Sequence, residues 1–192
     1  MVNDSMACCS SDHQCCSVNH EKKRIVIDFL YLDLSVCTRC QGTQNNLDLA
    51  INEVTNVLQA ANYEILVNKI NINTKELAIK YKFFSSPTIC VNGNDIAMNL
   101  QESTCKDCGD LCGESVDCRV WLYEGREYNE PPKAMIINAI LKEVYSEHKD
   151  LDKLKIDYVL PSNLEIFFDG LEEQAKEDDH KNLIYESGCN HV

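Results

Sequence analysis

The chain has 192 residues, room for one domain of ordinary size plus tails, and its 44% hydrophobic content is enough to bury a core. Its 31 acidic against 18 basic side chains give a formal net charge of -13, which opposes binding to nucleic acid or to anionic membrane surfaces. No apolar run reaches the ~18 residues of a membrane span, and Met1 to His20 is polar and Cys-rich with no signal-peptide core, so the expected location is cytoplasmic.

Residues 1 to 23 carry no periodic apolar pattern and read as a disordered, Cys-rich head. Ile25 to Leu34 is β-branched and aromatic, the composition of a buried strand. It leads into Cys37-Thr38-Arg39-Cys40. Leu47, Ala50, Ile51, Val54, Val57, Leu58 and Ala61 then recur at steps of three and four, which predicts an amphipathic helix with the C-x-x-C at its head. Tyr63 to Ile72 reads as a second strand, and Thr74 caps a short helix over Lys75 to Tyr81. Ser85 to Val91 is a strand entered through Pro87, with Asn92-Gly93 as a tight turn.

A glycine- and cysteine-rich insert occupies 99–118, after which Val116 to Tyr123 resumes as a strand. Pro131-Pro132 opens a helix whose apolar face is Met135, Ile136, Ala139, Ile140 and Val144. The alternation of strands and helices predicts one α/β domain over 24–147. The stretch 148–192 reads as an acidic extension with an apolar docking patch at 160–168 and disorder from Glu172 onward.

The strand, C-x-x-C, helix unit and the block Glu76 to Gly93, with Ser85-Ser86-Pro87-Thr88 at its centre, resemble the thioredoxin and glutaredoxin superfamily. With its Cys-rich insert the pattern is similar to an uncharacterised group of thioredoxin-like prokaryotic proteins. The resemblance implies a central mixed sheet flanked by helices, with the insert before the last strands. It also implies thiol-disulfide chemistry in which Cys37 attacks, Cys40 resolves, and a cis Ser86-Pro87 loop faces them. The partners so implied are a disulfide-bearing protein or small thiol and a reductase that supplies electrons, with no cofactor required. Two positions depart from thioredoxin: Thr38-Arg39 replaces its intervening pair, and Tyr31 stands where it carries a buried Asp.

Twelve cysteines in a reducing compartment point to metal or redox chemistry rather than a disulfide framework. At Cys37 a helix N-terminus favours the thiolate, and the Arg39 guanidinium adds to this if it turns inward; Arg39 and Ser86 are the candidate substrate contacts. The insert's Cys105-x2-Cys108-x3-Cys112-x5-Cys118 supplies four thiols, with Gly109 and Gly113 permitting tight turns. These four match tetrahedral zinc, with an iron-sulfur cluster, a second redox dithiol and ordinary thiols as the other readings. Cys8, Cys9, Cys15, Cys16, His13 and His20 in the head, and Cys189 and His191 in the tail, suit soft ions such as trivalent arsenic, mercury or copper(I). Cys90 reads as a small buried residue, and His148 and His180 as solvated side chains. Two functions follow from different classes: a Cys37/Cys40 oxidoreductase, or a protein that binds or transfers a thiophilic metal or metalloid.

Overall fold

The structure is a computed structural model and describes residues 22–97, 99–146 and 157–187. The head and tail cysteines, His148 and His191 lie outside these residues, as does the expectation of a disordered head. Strands and helices follow in the order β1 (Lys23–Tyr31), α1 (Thr38–Ala60), β2 (Tyr63–Asn71), α2 (Lys75–Tyr81), β3 (Thr88–Val91) and β4 (Asn94–Asp95). The insert contributes β5 (Gln101–Thr104) and α3 (Lys106–Cys112), and the chain closes with β6 (Asp117–Tyr123), β7 (Arg126–Tyr128), α4 (Lys133–Tyr145) and α5 (Ser162–Ser187).

Four strands form a mixed sheet in the order β2-β1-β3-β4, with β1 parallel to β2 and antiparallel to β3. A second, antiparallel sheet runs β5-β6-β7. Among the described residues the architecture is α/β with a mixed sheet and five helices, compatible with a thioredoxin-like fold, and it carries the Cys-rich insert. The central strand explains the layering. Ile25, Ile27 and Phe29 of β1 face a core shared with Leu47, Ala50, Val54 and Leu58 of α1 and Ile136 and Ile140 of α4. Leu30 and, just past the strand, Leu32 join a second core with Phe83, the insert cysteines, and Leu164, Phe167 and Phe168 of α5. The strand is thus covered on one face, while on the other Val26 and Asp28 are half-buried and only its end at Leu30 is buried.

Local chemistry sets the helix starts. Thr74 caps α2 by accepting the Leu77 N–H at 3.3 Å. Cys37 is the N-cap of α1, with its Sγ accepting the Cys40 N–H at 3.4 Å, so a sulfur stands where an oxygen usually caps.

One expectation is corrected. The apolar patch at 160–168 and the acidic stretch after it form one helix, α5, which runs on to Ser187 where disorder was expected. Glu, Gln, Ala and Lys are good helix formers, and Leu164, Phe167, Phe168 and Leu171 form the stripe that docks it. The insert also has regular structure of its own, a strand and a helix joined to β6. Among the described residues, no helix is long and apolar enough to cross a membrane.

Candidate metal centre

The insert folds back over the head of α1. Cys37, Cys105 and Cys108 place their sulfurs within 4.8 Å of one another, and all three are buried. Cys118 joins them from β6, its thiol donating to the Cys108 sulfur at 3.4 Å. The site thus combines the first thiol of the C-x-x-C with three from the insert. Cys112 stands apart, its thiol directed at the carbonyl oxygens of Gly109 and Glu114, each at 3.8 Å. Of the set expected from spacing, Cys105 and Cys108 converge with Cys37, Cys118 adjoins Cys108, and Cys112 is directed elsewhere. Cys112 lies one further helical turn beyond Cys108, about 6 Å along the axis, whereas Cys105 is the N-cap on the opposite side of Cys108, where the chain enters the helix.

Three pieces of the chain hold the insert in this position. The first is the pair between the C-x-x-C cysteines. Thr38 donates both its N–H and its hydroxyl to the Asp107 carboxylate, at 2.8 and 2.7 Å. Arg39 donates to the carbonyls of Ser103 and Cys118 at 3.2 and 3.3 Å through one nitrogen, and to that of Thr104 at 3.0 Å through the other. Its guanidinium thus bridges both strands of the β5-β6 hairpin, so the condition for its activating Cys37, an inward turn toward that thiol, is not met.

The second piece is α5. The Asn163 side chain exchanges two hydrogen bonds with the Asp117 backbone, at 2.9 and 2.7 Å, one residue before Cys118. With its amide turned so that both neighbours are satisfied, Gln174 donates to the Leu111 carbonyl at 2.6 Å and accepts from Gly113 N–H at 3.0 Å, closing the C-terminus of α3. At Gly170 the Cys112 carbonyl occupies the place a Cβ would take, so only glycine lets the two helices approach this closely. The third piece is the loop before β3, whose Ser86-Pro87 bond is cis. The buried Ser86 hydroxyl accepts from Leu32 N–H at 3.1 Å and lies 3.4 Å from the Cys40 sulfur, while its carbonyl accepts from Arg119 N–H at 2.7 Å. Cys40 is thus buried next to Cys37 and the cis-proline loop.

The thiols share their protons unevenly. Donation from Cys105 above all, then from Cys108, Cys118 and Cys40, holds Cys37 far below the ordinary thiol range and makes it the thiolate of the group. Hydrogen bonding from Cys108 and Cys118 brings Cys105 down to about 7. Cys108 and Cys118 are pushed up, each first by its bond with Cys105, and Cys40 is pushed up by its bond with Cys37 and by burial. Cys112 is raised by burial. Sulfurs around a tetrahedral ion at ~2.3 Å would stand about 3.8 Å apart, and those of Cys37, Cys105 and Cys108, all within 4.8 Å of one another, come near that spacing. The donor set fits a metal ion.

Of the remaining cysteines, Cys90 on β3 is half-buried. Spacing found Cys37, Cys40 and the insert thiols but gave no sign of Asp107, Asn163, Gly170 or Gln174, whose roles exist only once the insert and α5 have folded onto α1.

Fold and site together define an α/β protein with a buried cysteine cluster that could hold a metal ion. Residues 25–140 match the family described as a domain of unknown function, DUF2703, and the chain belongs to that family. The matched span contains Cys37 and every cysteine of the insert. No curated protein and no solved structure matches the chain.

Proposed function

We propose that this protein binds a thiophilic metal or metalloid ion through Cys37, Cys105, Cys108 and Cys118. The observation that carries this reading is the convergence of Cys37 with the insert thiols at a buried point, although 68 residues separate it from the nearest of them in sequence. Thiolates select zinc, copper(I) and related soft ions over magnesium or calcium, and four sulfurs suit tetrahedral zinc. Burial supports the same choice. Cys37, Cys108 and Cys118 have no exposed surface. A thiol that attacks a protein disulfide has to be reachable, and here the insert covers it. Arg39 and Asp107 hold that cover in place.

A second reading is thiol-disulfide exchange by Cys37 and Cys40 in a thioredoxin-like setting. Its support is the contact of Cys40 with both Cys37 and Ser86 beside the cis proline. Serine variants separate the two readings. With an ion-binding centre, Cys105→Ser removes bound metal from anaerobically purified protein and Cys40→Ser does not. With a dithiol enzyme, Cys40→Ser abolishes turnover of a disulfide substrate while Cys105→Ser preserves it.

A further inference from the structure

An ion-binding centre closed on all sides needs a way in, and the structure has one. Of the four cluster cysteines only Cys105 keeps any exposed surface, 3% of the residue. Cys105 also lines a surface cavity of about 650 Å³, together with Lys106, Gly109, Asp110, Glu114 and Ser115. None of the other three cluster thiols lines it. Gly109 and Gly113 also stand on its wall. A Cβ on Gly109 would press on the Glu114 carbonyl at 2.8 Å, and Gly113 has a φ of 79°, in the region glycine favours.

Size and charge describe the occupant. A bare ion needs no more room than a water molecule or two, roughly 30 Å³ each, whereas this volume falls within the roughly 300–1,000 Å³ of small-molecule sites. The walls offer one ammonium, Lys106, and two carboxylates, Asp110 and Glu114. Lys106 and Asp110 form only an exposed pair at 3.8 Å, which leaves both groups free to exchange partners with a ligand. Charges of both signs beside a thiol match a molecule that itself carries an amine, a carboxylate and a thiolate.

We infer that this groove binds the ion as its complex with a small zwitterionic thiol of the amino-acid type, and that Cys105 is the residue at which the ion changes hands. The inference rests on the ion-binding reading above. In the first exchange, a sulfur–metal bond forms to Cys105 and one small thiolate leaves. The proton displaced from the Cys105 thiol goes to the departing thiolate, and no atom changes oxidation state. Cys108 and Cys118 displace further ligands in the same way as the ion moves inward, and Cys37, which holds no proton, displaces a thiolate that is protonated by solvent.

The test follows cadmium transfer by stopped-flow, using the ultraviolet band of the cadmium–thiolate bond. The protein is the full chain with Cys8, Cys9, Cys15, Cys16 and Cys189 replaced by serine, so that the folded region reports. Cadmium is offered as its cysteine complex, as its 2-mercaptoethanol complex and as the aquo ion. The expected result is a rate that saturates with the cysteine complex and stays linear with the other two. The double variant Lys106→Glu, Glu114→Lys should slow transfer from the cysteine complex by about tenfold, the worth of roughly one charged contact. It should leave the final cadmium content and the aquo-ion rate unchanged. Full loading without saturation, or an equal effect of the variant on all three donors, would overturn the groove while leaving the ion-binding centre standing. No cluster-bound cadmium from any donor would overturn both.

Discussion

Replacing Arg39 by alanine tests whether the pair between the C-x-x-C cysteines organises the thiol cluster. Arg39 is half-buried and reaches three carbonyls at 3.0 to 3.3 Å, those of Ser103, Thr104 and Cys118. A hydrogen bond from a charged donor is worth about 1.5–3 kcal/mol net, and partial exposure reduces this, so three such bonds at roughly 1 kcal/mol each give about 3 kcal/mol. That energy favours the arrangement in which Cys105 and Cys118 stand beside Cys37. If about half of it is lost from the ion-bound state, affinity falls by about tenfold; if all of it is lost, by about 100-fold. Arg39→Lys should fall between, because a single ammonium does not span three carbonyls as a planar guanidinium does. The assay is competition for zinc or cadmium against a chromophoric chelator under anaerobic conditions, alongside thermal unfolding of the ion-free protein. An Arg39→Ala affinity within a factor of two of the parent would refute the reasoning, since the cluster would then assemble without its cover being held.

Cys112→Ser should leave ion stoichiometry unchanged while Cys118→Ser lowers affinity steeply, as measured by metal analysis after gel filtration; equal losses would return Cys112 to the ligand set. Gly170→Val should force α5 away from the Cys112 carbonyl, costing about 1–3 kcal/mol by overpacking. At about 2–4 °C per kcal/mol for a chain of this size, the melting temperature should drop by several degrees, and an unchanged value would contradict the close approach. Ion binding must displace the protons that Cys108 and Cys118 hold, so affinity should rise with pH. As pH falls through about 7, Cys105 takes up a proton as well, and the protons released per ion should increase from two toward three. Calorimetry in buffers of different ionisation enthalpy reads this number, and a count independent of pH would sink the assignment of Cys105.

The sequence made the strand and helix order legible wherever local chemistry decides it. The apolar run of β1, Thr74 as a cap and the three- and four-residue steps of α1 each point to one local structure, and Cys37 at a helix head followed from them. The composition of the site was less visible, because cluster membership depends on contacts between segments 68 residues apart and on which residue caps α3. Four cysteines in one stretch look like one site; the helix carries Cys112 out of reach and the fold supplies Cys37 instead. The same limit applies to Arg39. Its side chain next to a reactive cysteine suggested electrostatic activation, and only the return of the β5-β6 hairpin shows where its donors go. In α5 the acidic composition pointed to disorder, while the helix propensity of the same residues and the stripe of Leu164, Phe167, Phe168 and Leu171 pointed to the helix that forms.

The most direct test of the central claim is the ligand set of the bound ion. Cobalt(II) titrated into the reduced, anaerobic full chain with the head and tail cysteines replaced by serine should give the visible bands of a tetrahedral tetrathiolate centre at one ion per chain. Cys37→Ser should change those bands as strongly as Cys105→Ser does. Bands that persist unaltered in Cys37→Ser, or an absence of thiolate-bound cobalt in the parent, would contradict a centre shared between the C-x-x-C and the insert.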